Sequence, residues 1–502
     1  MYRYYNKLTF FVSIIFFILP EVGLAVTHST SLAKPTIDFN RINTIVLDSD
    51  KENTNLSCSK LVSTEKTDSE DIESNTTDDE IDKLIENLQT KSPKITSEDV
   101  VASGIPADYL PSDSIFSQFL HERHLPIYNN NEIKLLPSGR KKFHSLFQAI
   151  REAKHHIHLE YFNFRSDSIA KEVFTLLAEK AKEGVKVRAM FDDFGNMSNN
   201  RPLRKEHLKM LNDRGIEIIR FDPIKFPWIN HAFTRDHQKI VVIDGLVGYT
   251  GGMNIADYYI NGLPELGPWR DMHMRLEGPV VSALQHAFLS VWNKESKQEI
   301  GGIEYFPYEQ DSTVNKFGTL GNRVSIVQRI PHKHPDAIRK AYIKAIDAAE
   351  HHIRIVTPYF TPTRPLRKAI YRALKRGIHV EIMLSSKCDI PLTPDVALYY
   401  ANKFRKAGAR IYIFNGGFHH TKVMTVDDRF CTVGSANLNS RSMNYDYEIN
   451  SFIFDLPTTA ELDKIYAKDK LDSDILTRDL YKNRSAWKRF VGWAAHFLTR
   501  II

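Results

Sequence analysis

Cysteine is scarce: Cys58, Cys388 and Cys431 are the only three in 502 residues, and they lie far apart. That excludes a disulfide framework and the paired spacings of a zinc cluster. Long apolar runs are scarcer still. A polytopic membrane protein needs several stretches of roughly 20 apolar residues, whereas the one candidate here runs from Leu8 to Leu19, interrupted by Thr9 and Ser13. Hydrophobic content of 42% and charged content of 25% sit near the globular average, which excludes a wholly disordered or collagen-like chain. Stability must come from a packed core, divided among two to four units at roughly 150 residues each.

Acidic residues are outnumbered by basic ones over most of the chain, which the net charge of +6 understates. Residues 51–100 hold six Lys against thirteen Asp or Glu, and residues 1–50 balance, so residues 101–502 carry +13. A basic body suits an anionic partner, phospholipid or nucleic acid, and charge alone does not choose between them.

At the N-terminus Arg3 and Lys7 precede the apolar run, and Pro20 and Gly23-Leu24-Ala25 follow it. Residues 1–25 therefore read as a secretory signal cleaved after Ala25, with an uncleaved membrane anchor as the alternative. Either way the remainder is expected to be exported and membrane-associated, in a periplasmic or secreted location. Residues 26–103 are rich in Ser, Thr, Asn, Asp and Glu, cannot bury enough apolar surface to offset ordering entropy, and read as a disordered acidic linker with a short helix around 81–88.

From residue 104 the chain alternates helical and strand patterns, and it repeats itself. Lys154-His155-His156-Ile157-His158 leads into Leu159-Glu160-Tyr161-Phe162; 196 positions on, Glu350-His351-His352-Ile353-Arg354 leads into Ile355-Val356-Thr357-Pro358-Tyr359-Phe360. Each copy continues with an amphipathic helix and a strand opened by glycine, Gly184 or Gly377. The order argues for an α/β fold built from two related halves, 104–312 and 313–480, followed by a C-terminal helix over 481–502.

Each half carries the same polar motif. His237-Gln238-Lys239 precedes four apolar residues and Asp244; His420-Thr421-Lys422 precedes Val423–Val426 and Asp427. A single H-x-K-x4-D match arises by chance too readily to carry weight. Here both copies continue alike, with Gly251-Gly252 and Asn254 after the first and Gly434-Ser435 and Asn437 after the second. His and Lys two residues apart on a strand project from one face, so imidazole and ammonium converge on one anion. If the halves pair about a pseudo-twofold axis, two His, two Lys and two Asn surround one pocket. That set suits phosphodiester chemistry: one imidazole attacks phosphorus, the other protonates the leaving alkoxide, and Lys and Asn stabilise the non-bridging oxygens. The lysines supply the positive charge, so neither metal nor cofactor is required.

The duplicated motif resembles the phospholipase D superfamily, and its surroundings resemble the bacterial cardiolipin synthase branch over about residues 104–480. The likeness extends to Leu135-Leu136-Pro137-Ser138-Gly139, Phe191-Asp192-Asp193-Phe194-Gly195, Trp269-Arg270-Asp271, Thr357-Pro358-Tyr359-Phe360, and Gly434-Ser435-Ala436-Asn437 with Arg441-Ser442 and Glu448. It departs at Asn439, commonly Asp, and Asp446, commonly Asn. The resemblance implies two α/β repeats with abutting mixed sheets, and a phosphatidyl-histidine on His237 with His420 as acid/base. It further implies transfer between two molecules of phosphatidylglycerol at a membrane surface, with no obligate nucleic acid. Hydrolytic phospholipase D, a metal-independent nuclease and a non-catalytic lipid-binding scaffold are the rival readings.

Asp244 and Asp427 read either as catalytic members of the motif or as turn residues. Gly252 and Ser435 bring backbone close to the phosphate, and Asn254 and Asn437 donate to it. Asp271 and Glu448 either orient the imidazoles or form structural ion pairs. His419 faces away from the site, and the His155-His156 and His351-His352 pairs read as surface residues. In the last segment Trp487, Phe490, Val491, Ala494, Phe497, Leu498 and Ile501 recur at helical spacing opposite Lys488, Arg489 and Arg500. Such a helix lies on a membrane interface or docks on the protein's own core.

Overall fold

The computed structural model describes residues 111–224, 233–310, 322–497 and 499. The signal or anchor segment, the acidic linker and the helix expected near residue 81 lie outside the described residues.

In the first half, β1 (Tyr128–Leu136) leads to α1 (Gly139–Glu152), β2 (His156–Tyr161), α2 (Ser168–Lys182), β3 (Lys186–Asp192) and β4 (Ile216–Phe221). β5 (Ile240–Ile243), β6 (Val247–Gly251), β7 (Trp269–Arg270), β8 (His273–Glu277) and α3 (Val280–Ser296) complete it. The second half repeats the order with β9 (Asn322–Arg329), α4 (Ala337–Ala348), β10 (His352–Val356), α5 (Arg364–Lys375), β11 (His379–Ser385), α6 (Thr393–Lys406) and β12 (Arg410–Phe414). It continues with β13 (Phe418–His419), β14 (Val423–Val426), β15 (Phe430–Gly434), β16 (Glu448–Phe454), α7 (Leu456–Leu471), β17 (Ser473–Ile475) and α8 (Ala486–Ala495).

The periodicities have local causes. α1 starts where the Ser138 hydroxyl accepts from the Lys141 N–H, and α2 where Asp167 accepts from Ala170, each supplying an orphan helix donor with a partner. α1 buries Phe143, Leu146, Phe147 and Ile150, and α4 buries Ile338, Ala341, Tyr342, Ala345 and Ile346, the stripes of helices lying on a sheet. β5 and β14 are buried along their whole length and read as nearly continuous apolar runs, whereas β2, equally buried, alternates polar His156, His158 and Glu160 with apolar residues.

Fifteen strands form one sheet in the order β17-β12-β11-β10-β14-β15-β16-β9-β1-β8-β6-β5-β2-β3-β4. It is mixed: β2, β3 and β4 run parallel, as do β10, β11 and β12, while β5 and β14 pair antiparallel to their neighbours. Outward from the β1–β9 junction the strands of the two halves correspond one for one, apart from the extra edge strand β17. The two expected abutting sheets are joined into a continuous one because β1 pairs antiparallel on both edges, with β8 on one side and β9 on the other.

The C-terminal helix docks on the protein's own second half, one of the two readings its sequence left open. Gly492 packs so closely on α6 that an added Cβ would overlap the Asp395 carbonyl, and the His496 ring lies 4.6 Å from that of Tyr399. The opposite side of the helix keeps its aromatic side chains exposed. No helix among the described residues is long and apolar enough to cross a membrane.

Candidate active site

Two short pairings outside the regular ladders set the site. β13 lies parallel to β7, and the His420 N–H donates to the Arg270 carbonyl at 2.7 Å. In the corresponding place Asp236 bridges Tyr447, and the His237 N–H donates to the Tyr447 carbonyl at 3.0 Å. Each motif histidine therefore runs beside the other half's backbone, one residue before a buried carboxylate. His237 Nδ1 lies 3.0 and 3.1 Å from the two Glu448 carboxylate oxygens, and His420 Nδ1 lies 2.7 Å from Asp271 Oδ2. The first-half histidine is held by a second-half carboxylate and the reverse. With Nδ1–H donating to the carboxylate, Nε2 of each ring is left for chemistry.

The lysines fold back to the histidines. Lys239 Nζ donates to the His237 carbonyl, Lys422 Nζ donates to the His420 carbonyl, and Lys422 Nζ also sits 2.9 and 3.3 Å from the two His420 ring nitrogens. Burial sets the electrostatics. It lowers the His237 imidazole to about 4, helped by Lys239 and Lys422 and opposed by Glu448. Burial lowers His420 too, again with Lys422 helping and Asp271 opposing. Lys239 is brought down to about 7 and Lys422 to about 8, by desolvation that the nearby carboxylates only partly offset. Burial alone would raise Glu448 and Asp271, but His237 and Lys239 around the former, and Lys422 and His420 around the latter, hold both below the ordinary carboxylate range. The site at rest thus holds neutral imidazoles, anionic carboxylates and lysines poised to release a proton near neutrality.

Asn254 and Asn437 occupy corresponding loops and are buried, and the side-chain carbonyl of each has no hydrogen-bond partner. Those unpartnered amide oxygens are acceptors held in reserve for a hydroxyl of a polar ligand. Gly252 and Ser435 occupy corresponding positions and treat their carboxylates differently. The Ser435 hydroxyl donates to Glu448, whereas a Cβ at residue 252 would overlap the Asp271 carboxylate. Gly252→Ala should displace Asp271 and with it the His420 ring. Because about 1 Å of misplacement costs roughly 100-fold in rate, kcat is expected to fall by about that factor while KM stays within about threefold; Ser435→Ala, which adds no atom, should lose much less in the same assay.

Asp244 and Asp427, which the motif left open between catalytic and turn residues, are turn residues and are not brought to the histidines. They lie beyond the far ends of β5 and β14, five residues and roughly 16 Å along the strand from the lysines at a rise of about 3.3 Å per residue. Both adopt positive φ, 56° and 53°. Asp244 accepts the backbone N–H groups of Lys154, His155 and His156, and Asp427 those of Glu350, His351 and His352. Each closes the turn from helix to strand in its half. Asp244→Ala or Asp427→Ala is therefore expected to cost about 2–3 kcal/mol in urea unfolding, since three donors lose a charged acceptor. Turnover per folded molecule should stay within about threefold, and Asn, which tolerates positive φ, should recover part of the stability.

Other groups were less visible in the sequence. Phe162 packs edge-on against His237 at 5.2 Å, and Trp269 and Tyr359 lie 5.4 and 5.8 Å from His420, giving both imidazoles aromatic walls. Arg235 forms a fully buried pair with Asp192, 2.9 Å from Nε, and the same carboxylate accepts the Asp236 N–H, which anchors the chain entering the first motif. Lys142 is buried and donates to the Met253 and Asn254 carbonyls, fixing the loop that carries Asn254. Its signal was a lysine on the apolar stripe of α1. His419 bonds to Asp469, which also receives Arg270. His351 is exposed, but His156 is buried beside His158 and Tyr305, contrary to the surface reading, because β2 is covered on both faces. Asn439 caps the helix Ser440–Asn444 through Ser442 N–H, and Asp446 accepts from Arg235 N–H and Arg441. No group of three or more His, Cys, Asp or Glu among the described residues is arranged to hold a metal ion.

A family model described as cardiolipin synthase, phospholipase D-like domain, matches twice, at residues 146–268 and 342–470. The chain is 34% identical over 423 residues to the major cardiolipin synthase of Bacillus subtilis, covering 83% of each chain. It is 36% identical over 363 residues to a cardiolipin synthase of Oceanobacillus iheyensis, covering 72% of this chain and 73% of that one. The fold is similar to the crystal structure of a phosphatidylserine synthase from Haemophilus influenzae, with a TM-score of 0.58 and 17% identity over 77% of this chain and 99% of the other. With a doubled domain match and relatives aligned over most of its length, the chain belongs to the cardiolipin synthase family of phospholipase D-like proteins.

Proposed function

We propose that this protein is a phosphatidyltransferase of the cardiolipin synthase type, joining two molecules of phosphatidylglycerol into cardiolipin with release of glycerol. The observation that carries the reading is the crossed pairing of two motif histidines, each with a carboxylate from the other half and a lysine beside it. Residues 104–312 and 313–480 act as repeats about a pseudo-twofold axis, and one phosphate binds between their motifs.

His237 Nε2 attacks phosphorus, forming a phosphatidyl-histidine as the bond to the glycerol oxygen breaks. The fraction of His420 protonated on both ring nitrogens gives its Nε2 proton to that oxygen, and glycerol leaves. A hydroxyl of the second phosphatidylglycerol then loses its proton to His420 while its oxygen displaces His237 from phosphorus. Lys239 and Lys422 hold the non-bridging oxygens, Asn254 and Asn437 supply amide groups to the same phosphate, and Asp271 and Glu448 keep the rings aligned. The +13 body and the signal-like N-terminus support a membrane-associated, extracytoplasmic setting, with the anionic lipid as partner.

The test is incubation of the purified protein with phosphatidylglycerol and mass spectrometry of the products. Cardiolipin and glycerol in equal amounts are expected. Phosphatidic acid as sole product would instead make the enzyme a hydrolytic phospholipase D, and nicking of plasmid DNA without metal would make it a nuclease.

A further inference from the structure

On one face of the second half, α4, α5, α6 and α8 lie side by side. Tyr371 of α5 stacks on Phe404 of α6 with ring centres 4.8 Å apart, and α8 packs on α6 through Gly492. The outermost helix carries an exposed aromatic ridge. Trp487 is 70% exposed, Phe490 51%, Trp493 47% and Phe497, two residues beyond the helix, 60%. Successive rings stand 5.7, 5.7 and 5.4 Å apart, so they form one continuous surface instead of scattered apolar residues. A patch of this kind on a helix whose other side is already packed marks a surface for a partner.

Exposed cations on the same layer of helices, one on α8 and others on α5 toward its α4 side, select the partner. Arg364, Lys368 and Lys375 are exposed along α5, and none has a carboxylate within ion-pair reach among the described residues. Lys488, on α8 itself, is likewise exposed. Tryptophan and phenylalanine on one layer with unpaired lysine and arginine match the boundary between acyl chains and anionic headgroups. We infer that α8 and α5 form an interfacial docking face, in which the Trp487–Phe497 ridge enters the headgroup region of an anionic bilayer while the α5 cations meet its phosphates. The inference rests on the reading above only in taking the membrane to be anionic.

The test is quenching of tryptophan fluorescence by brominated phosphatidylcholine in vesicles of phosphatidylglycerol and phosphatidylcholine in equal parts, using the full chain. Quenching is expected for the unaltered protein. It should largely disappear in Trp487→Phe/Trp493→Phe, which keeps the ridge apolar but removes its fluorophores, and it should weaken in vesicles lacking phosphatidylglycerol. The fourfold alanine variant at 487, 490, 493 and 497 should lose at least about tenfold in turnover on vesicles and less than about twofold in detergent-mixed micelles. Quenching that is absent, or equal in the protein and its double Phe variant, would overturn the inference. So would a dimer in sedimentation that the fourfold variant abolishes while quenching of Trp487→Phe/Trp493→Phe matches the unaltered protein, since a second copy would then occupy the ridge. Loss of micellar turnover by the unaltered protein would count against the proposed reaction and leave the quenching result standing.

Discussion

His420→Ala is expected to stall with phosphatidate bound covalently to His237, whereas His237→Ala should form no adduct at all. The difference follows from the proton each step needs. With phosphatidylglycerol the leaving alkoxide requires a proton, so both variants should lose at least about 10,000-fold in turnover, as removal of a nucleophile or its acid/base partner does elsewhere. With a p-nitrophenyl phosphatidyl ester the leaving group needs no proton. His420→Ala should then release one equivalent of nitrophenol in a burst and stop, because no base remains to activate the acceptor. Intact-protein mass spectrometry should find the added phosphatidyl mass on His420→Ala alone. If the adduct appears instead on His237→Ala, the two histidines exchange roles; if it appears on neither, the covalent route is wrong. The site favours His237 for attack. Its ring is the more exposed of the two, 14% against 7% for His420, and its nitrogen is not faced by a lysine at hydrogen-bond distance. Its imidazole, at about 4, is neutral and nucleophilic throughout the physiological range.

Much of this site was legible in the sequence, and for a physical reason. His-x-Lys followed by a buried four-residue strand is a local pattern, set by the two-residue period of extended chain, and its recurrence with Asn254 and Asn437 at matching offsets carries the duplication. What spacing could not convey was which carboxylate meets which histidine. Glu448 lies 211 residues from His237 and Asp271 lies 149 from His420, so their pairing is decided by the route of β7 and β13 and by the junction of β1 with β9. Motif membership also left a choice open. Asp244 and Asp427 keep constant register with the histidines because each ends the strand that starts at the lysine, and the constraint behind that register is a turn with three donors to satisfy. His156 illustrates the same gap: a polar residue at a helix-to-strand junction reads as exposed until α3 and the stretch around Tyr305 are seen to cover it.

The crossed pairing has consequences that an uncrossed one would reverse. Loss of an orienting carboxylate at comparable histidine sites costs up to about 10,000-fold in kcat, so Asp271→Asn and Glu448→Gln are each expected to lose about 1,000- to 10,000-fold, mainly in kcat. Their pH profiles should differ in a prescribed way. In the unaltered protein kcat/KM reports the free enzyme. It should rise as His237 becomes neutral near pH 4, and fall as His420, held below its ordinary 6.5, loses the proton it must donate. The fall should steepen above pH 7 as Lys239 and then Lys422 give up their charge. Glu448 raises the His237 value, so Glu448→Gln should shift the acid limb to lower pH and leave the first part of the basic limb in place. Asp271 raises the His420 value, so Asp271→Asn should move the basic limb to lower pH and leave the acid limb in place. Were each carboxylate to serve the histidine of its own half, the two variants would exchange these signatures. A profile in which both limbs move in both variants would mean that the carboxylates act on the site's total charge and not on one ring each. The crossing also means that neither half contains a complete histidine–carboxylate pair, so catalytic competence depends on the β1–β9 junction that brings the halves together.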